Sequence, residues 1–155
     1  MNTKILIMGL PGSGKTTLAE ALQNIFQQCS NIHCKWYNAD AVRREYNDWD
    51  FSEEGRLRQA NRMKELCSGP DLYIADFVAP TEEIRKHFDA DLVIWMDTIK
   101  EGRFEDTNKV FVKPKADLVI SDFNYDIKKI VKRILQLDYF GIQDSLNILN
   151  IVEPI

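Results

Sequence analysis

Cysteine, glycine, proline and long apolar stretches are all scarce in this chain of 155 residues. Its three cysteines, Cys29, Cys34 and Cys67, fall at spacings that match no zinc or redox motif, which fits reduced thiols packed as small apolar groups in a cytosol. With only 7 Gly and 5 Pro beside 45% hydrophobic and 28% charged residues, the composition excludes a fibrous or disordered chain and describes a compact one. No apolar run approaches the ~18 residues needed to cross a bilayer. The opening Met1 to Leu10 holds a short apolar run, but glycines and a second lysine follow before a signal-peptide core could finish. A cytoplasmic protein is therefore expected. Positive charge is also short: 20 basic against 24 acidic side chains give a net charge of -4, which offers a nucleic-acid polymer or an anionic membrane no general attraction. The length suits one domain covering residues 1–155.

What the chain does have is alternation. Apolar runs of strand length recur at Lys4 to Met8, Ile32 to Tyr37, Leu72 to Ala75, Leu92 to Met96 and Leu118 to Ile120, with helical spacing between them. That pattern predicts an α/β fold with a five-stranded, mainly parallel sheet flanked by helices. Lys15 to Gln28 repeats Leu18, Ala21, Leu22, Ile25 and Phe26 on one helical face, and Tyr125 to Leu137 does the same with Ile127, Ile130, Val131, Ile134 and Leu135. Ser52 before Glu53 and Glu54 predicts a capped helix running to about Cys67, and Thr81 before Glu82 and Glu83 predicts a shorter one to about His87. The residues from Asp144 onward fit a short helix, an edge strand or a loosely packed tail equally well.

Gly9-Leu10-Pro11-Gly12-Ser13-Gly14-Lys15-Thr16 fits G-x-x-x-x-G-K-[ST] and lies between the first strand run and the first helical pattern. The setting matters because glycines let successive backbone N–H groups converge on phosphates, to which the following helix presents its positive end. Lys15 is then expected at the β- and γ-phosphates of ATP and Thr16 at Mg²⁺, with Thr17 beside it in the same cradle. This is the loop of a P-loop NTPase fold.

Hydrolysis and transfer must be told apart elsewhere in the chain. A guanine-specific switch would carry N-K-x-D, whereas Asn108-Lys109 is followed by Val110 and Phe111. A motor would need a longer chain and an Asp-Glu Walker B strand. A small-molecule kinase needs an acceptor carboxylate and a cationic lid. Asp40 follows the second strand run, where it is placed to orient an acceptor hydroxyl or hold Mg²⁺, or to serve as an Asx cap for the helix at Val42 to Tyr46. Arg43 and Arg56 are the forked donors expected at an anionic acceptor, while Arg44, Arg58 and Arg62 read as surface. Phe51 is placed to stack on a base or to join the core. Residues 100–115 read as a short lid, with Arg103 as the transition-state clamp and Lys109 at the acceptor. Trp36, Trp49 and Trp95 read as packing.

With these residues placed, the chain resembles the adenylylsulfate kinases from about Ile5 to Asp122. The likeness rests on residues 9 to 16, on Asn38-Ala39-Asp40-Ala41-Val42-Arg43 against D-G-D-N-V-R, on Phe51-Ser52 with Arg56, on Phe77-Val78-Ala79-Pro80 against F-I-S-P, and on Val93 to Thr98. The resemblance implies transfer from ATP to the 3'-hydroxyl of adenosine 5'-phosphosulfate, with Asp40 catalytic, Arg43 and Arg56 on the phosphosulfate, Phe51 on adenine, and Gln59, Phe77 and Val78 along the acceptor. Asn38 departs from the family's first Asp, and Asp76 at the end of the third strand run is a candidate to restore that charge at the metal. Ala79 replaces a serine and Gln59 an asparagine. The family's long lid is replaced by Arg103 to Phe111, with Phe104 or Phe111 left as a second aromatic wall. A 3'-hydroxyl kinase of another nucleotide such as cytidine diphosphoramidate, a sugar-acid kinase and a non-catalytic nucleotide-binding regulator stay open, as does a homodimer.

Overall fold

A computed structural model describes residues 1–137 and 139–154. Its strands are β1 (Thr3–Met8), β2 (Cys34–Asn38), β3 (Leu72–Asp76), β4 (Leu92–Met96) and β5 (Leu118–Ile120). They lie in the order β2-β3-β1-β4-β5, and every pairing is parallel. Helices α1 (Lys15–Phe26), α2 (Ala39–Tyr46), α3 (Glu53–Leu66), α4 (Glu82–Phe88), α5 (Glu105–Val110), α6 (Ile127–Gln136) and α7 (Ile142–Val152) connect and cover them.

The strands are apolar throughout because both sheet faces are covered. Along β1, Ile5 and Ile7 join Leu22, Phe26, Val131 and Ile148 in one core, while Leu6 and Met8 point the other way to Val42, Met63, Ile84 and Phe88. Thus α1, α6 and α7 cover one face and α2, α3 and α4 the other. The caps at Ser52 and Thr81 form as expected: their hydroxyls accept from Gly55 N at 3.2 Å and Ile84 N at 3.3 Å.

Two details differ from the sequence reading, and a third settles an alternative it left open. The second strand starts at Cys34 and runs to Asn38, because Ile32 is taken up in a turn whose N–H donates to Cys29 O at 3.0 Å. The cap of α2 is Asn38, whose Oδ1 accepts from Ala41 N at 3.0 Å, so Asp40 lies inside the first turn and is no Asx cap. The C-terminal segment forms a helix that buries Ile148 and Val152 in the core beside α1, and Ile155 lies outside the described residues. Among the described residues no helix is long and apolar enough to cross a membrane.

Candidate active site

At the carboxyl end of the sheet, β1 leads through the loop of residues 9–14 into α1. Gly14 holds φ 94° at the N-cap, a left-handed conformation that frees the first-turn N–H groups without the strain a side chain would add. The hydroxyl of Thr98, just after β4, donates to Ser13 O at 2.7 Å and braces the loop from below. Ser13 is buried and its hydroxyl has no partner among the described residues. Open amides, an unspent donor and a nearby ammonium make this loop fit the phosphates of a nucleotide.

A cavity of about 550 Å³ opens beside the loop. Pro11, Gly12, Gly14, Lys15 and Thr16 form its phosphate end. Gly9 and Ser13 lie beneath this wall and Thr17 outside it, so the loop residues expected at nucleotide are only partly exposed to the cavity. Lys15 Nζ donates to Leu10 O at 3.0 Å. Burial lowers its pKa from the usual lysine value, against the opposing pull of Asp76 and Asp40.

The strand register brings Asn38 and Asp76 side by side at the ends of β2 and β3. Asp76 is 1% exposed, and its Oδ2 accepts from Asn38 Nδ2 at 3.0 Å, Thr16 Oγ1 at 3.1 Å and Trp36 Nε1 at 3.4 Å. Trp36 is thus more than packing. Burial nevertheless raises the Asp76 carboxyl above the ordinary carboxylate range, against those bonds and the charge of Lys15. Among the described residues no three His, Cys, Asp or Glu side chains gather as a self-contained metal site. Thr16 and Asp76 do supply converging hard oxygens next to the phosphate end, a donor set that suits Mg²⁺ shared with a nucleotide.

Asp40, Arg43, Phe51, Arg56 and Gln59 line the opposite wall, with Phe77 and Val78 alongside. Arg43 is buried; one Nη donates to Asp48 O at 3.0 Å and Asp50 O at 3.1 Å, and its guanidinium lies 4.3 Å from the Phe51 ring centroid. Arg56 donates from Nε to Phe51 O at 2.8 Å and from Nη2 to Thr107 Oγ1 at 3.2 Å, which ties this wall to the lid. Gln59 Nε2 donates to Ala39 O at 2.9 Å and so fixes the start of α2. Arg58 is exposed as expected and paired with Asp48 and Asp50, whereas Arg62, expected at the surface, is largely buried, paired with Asp48 and packed over the Tyr46 ring.

The lid contains α5. Arg103 and Phe104 line the cavity, whereas Phe111 stacks on Trp95 at 6.4 Å and packs, half-buried, against the core. Of these two lid aromatics, Phe104 is the one that lines the cavity. Lys109, expected at the acceptor, does not line the cavity: Thr107 faces inward to Arg56, and two residues further round the helix point about 200° away. Sequence reasoning also missed Gly55, Thr98 and Arg85. Arg85 donates to Ala79 O at 2.7 Å and Val112 O at 2.5 Å, joining the Phe77–Pro80 segment to the end of the lid. Its charge sits in a helix sequence that looks like ordinary surface, and only the pairing across chain segments reveals its work.

Residues 1–118 match the family described as Adenylylsulphate kinase. The chain belongs to that family. This member is accordingly an ATP-dependent phosphotransferase, a P-loop kinase. Its fold is shared with the Mycobacterium tuberculosis APS kinase CysC in complex with AMPPNP and APS, at 17% identity and a TM-score of 0.70 over 88% of this chain and 96% of that one. The gluconokinase of Sinorhizobium meliloti 1021 gives 16% and 0.58 over 88% and 91%. The Acinetobacter baumannii shikimate kinase in complex with shikimate gives 20% and 0.58 over 87% and 92%. No curated protein matches the sequence of this family member.

Proposed function

We propose that this chain is a single catalytic domain of residues 1–155, acting in the cytoplasm, that transfers the γ-phosphate of ATP to the 3'-hydroxyl of adenosine 5'-phosphosulfate or a close nucleotide relative. The observation that carries the reading is one cavity lined by Lys15 at one end and by Asp40, Arg43 and Phe51 at the other. Lys15 and the loop amides hold the β- and γ-phosphates, and Arg103 offsets charge as the phosphoryl group moves. Thr16 and Asp76 hold Mg²⁺, with Asp40 within the same cavity as a further carboxylate; bound there, the ion would neutralise phosphate charge. Asp40 accepts the proton of the attacking hydroxyl. Arg43 and Arg56 take the anionic end of the acceptor, and Phe51 its ring, between Gln59, Phe77 and Val78.

The purified protein with ATP and Mg²⁺ is expected to phosphorylate adenosine 5'-phosphosulfate in preference to sugar acids and shikimate. Lys15→Ala should cut kcat/KM by at least about a hundredfold. Turnover of a sugar acid alone, or unchanged rates in Lys15→Ala, would overturn the assignment.

A further inference from the structure

Two half-exposed aromatic rings face the cavity from separate segments: Phe51 before α3 and Phe104 in the lid, 52% and 53% exposed. Arg43 lies over one face of Phe51 at 4.3 Å from its centroid and Arg103 over one face of Phe104 at 5.4 Å, and a heterocycle that reaches from Phe51 to the lid meets it at Phe104. Two residues on, Asp106 lines this cavity and also a neighbouring one of about 320 Å³, which shares Phe51, Arg56 and Ile84 with it. The Asp106 carboxylate joins no ion pair among the described residues. Arg56, the cation whose charge it feels, has its Nε and Nη2 committed to Phe51 O and Thr107 Oγ1.

The lid backbone around Asp106 is nevertheless held in place. Its neighbour Thr107 is buried against Arg56, and Asn108 bonds both polar groups of Gly102, at 2.8 Å and 2.9 Å, closing the lid into a fixed turn. An unpaired carboxylate on the lid, lining the same cavity as Phe104, accepts hydrogen bonds. A ring lying on Phe104 with an exocyclic amino group would donate to it; a ring with an oxo group there would set lone pairs against lone pairs.

We propose that Asp106 selects the acceptor by accepting a hydrogen bond from an exocyclic amino group of its heterocycle, so that amino-bearing nucleotides are preferred over counterparts without the amine. The inference rests on the acceptor being a nucleotide, as proposed above.

The test compares matched acceptors with the full chain, ATP and Mg²⁺: adenosine 5'-phosphosulfate against purine riboside 5'-phosphosulfate, and cytidine 5'-diphosphate against uridine 5'-diphosphate. In whichever pair turns over, the amino-bearing member should have a kcat/KM at least about tenfold higher. Asp106→Asn should bring the two within about threefold, chiefly through KM, and Glu105→Gln, on the neighbouring lid carboxylate, should leave the ratio as in the wild type. A general disturbance of the lid would lower both members equally and preserve the ratio, and that result overturns the proposal. So does a wild-type preference for the member lacking the amine. If no nucleotide is phosphorylated at all, the proposed function fails and this inference fails with it; nucleotide turnover with an unmoved ratio sinks this inference alone.

Discussion

Asn38 spends two polar atoms on three hydrogen bonds: Oδ1 caps α2 at Ala41, and Nδ2 reaches both Thr16 Oγ1 at 3.2 Å and Asp76 Oδ2 at 3.0 Å. An aspartate would keep the cap but press a second negative oxygen against Asp76, so the amide at this position and the acid across the strand pair fit each other. The raised carboxyl of Asp76 also has a consequence for stability. Protonation is favoured in the folded state, so its stabilising contribution is complete below the ordinary carboxylate pKa and is lost as pH rises through the higher native value. Above that native value the ionised group burdens the fold. Asp76→Asn should lower kcat by about a hundredfold or more while the melting temperature holds or rises, and its advantage over the wild type should shrink as pH falls into the acid range. Steady-state kinetics and thermal melts across pH check this; equal losses in turnover and stability would argue that Asp76 is only structural.

At the scale of elements, the turn of residues 48–52 is set by α3. Gly55 lies in the first turn of that helix, and a Cβ there would come within 2.1 Å of Asp50 O. The turn closes onto bare backbone, and this places Phe51 and the carbonyls that hold Arg43. Gly55→Ala should cost about 1–3 kcal/mol in denaturant unfolding, and it should raise KM for the acceptor while leaving ATP affinity close to wild type. An unchanged acceptor KM would show that the turn does not set the acceptor wall. The helix itself was legible, since Ser52, Glu53 and Glu54 announce its start locally. Its glycine was not, because a glycine in a helical pattern looks like a mild propensity defect until the turn packed against it is seen. Ala79 was opaque for a similar reason: its φ of 46° is left-handed, held by Arg85 and Pro80 contacts that no local pattern encodes. The lid shows the middle case, with its place after β4 readable and the facing of Phe104, Phe111 and Lys109 undetermined until α5 was oriented by Arg56 and Thr107.

Over the whole molecule, the family match ends at residue 118, yet α6 and α7 complete the core behind the phosphate loop. Phe140 stacks on Phe26 of α1 at 5.5 Å, and Ile148 and Val152 are buried in the same cluster. Each large side chain lost from a core costs about 2–5 kcal/mol, comparable in sum to the ~5–15 kcal/mol that stabilises a domain. A chain ending at Gln136 should therefore lack a cooperative thermal transition by circular dichroism and gain no protection from ATP. A sharp transition in that truncated chain would show α7 to be dispensable. By itself, the order of residues determined the alternating fold, the phosphate loop and the carboxylate and arginines after β2, because strand runs, glycine spacing and helix caps act within a few positions of one another. Tertiary structure alone decided that Asn38 and Asp76 share one hydrogen-bonded centre, that Trp36 serves it, which lid aromatic faces the cavity, and that the tail is a helix. These depend on strand register and on packing between segments dozens of residues apart, where the energy of a contact is set by geometry that no local pattern carries.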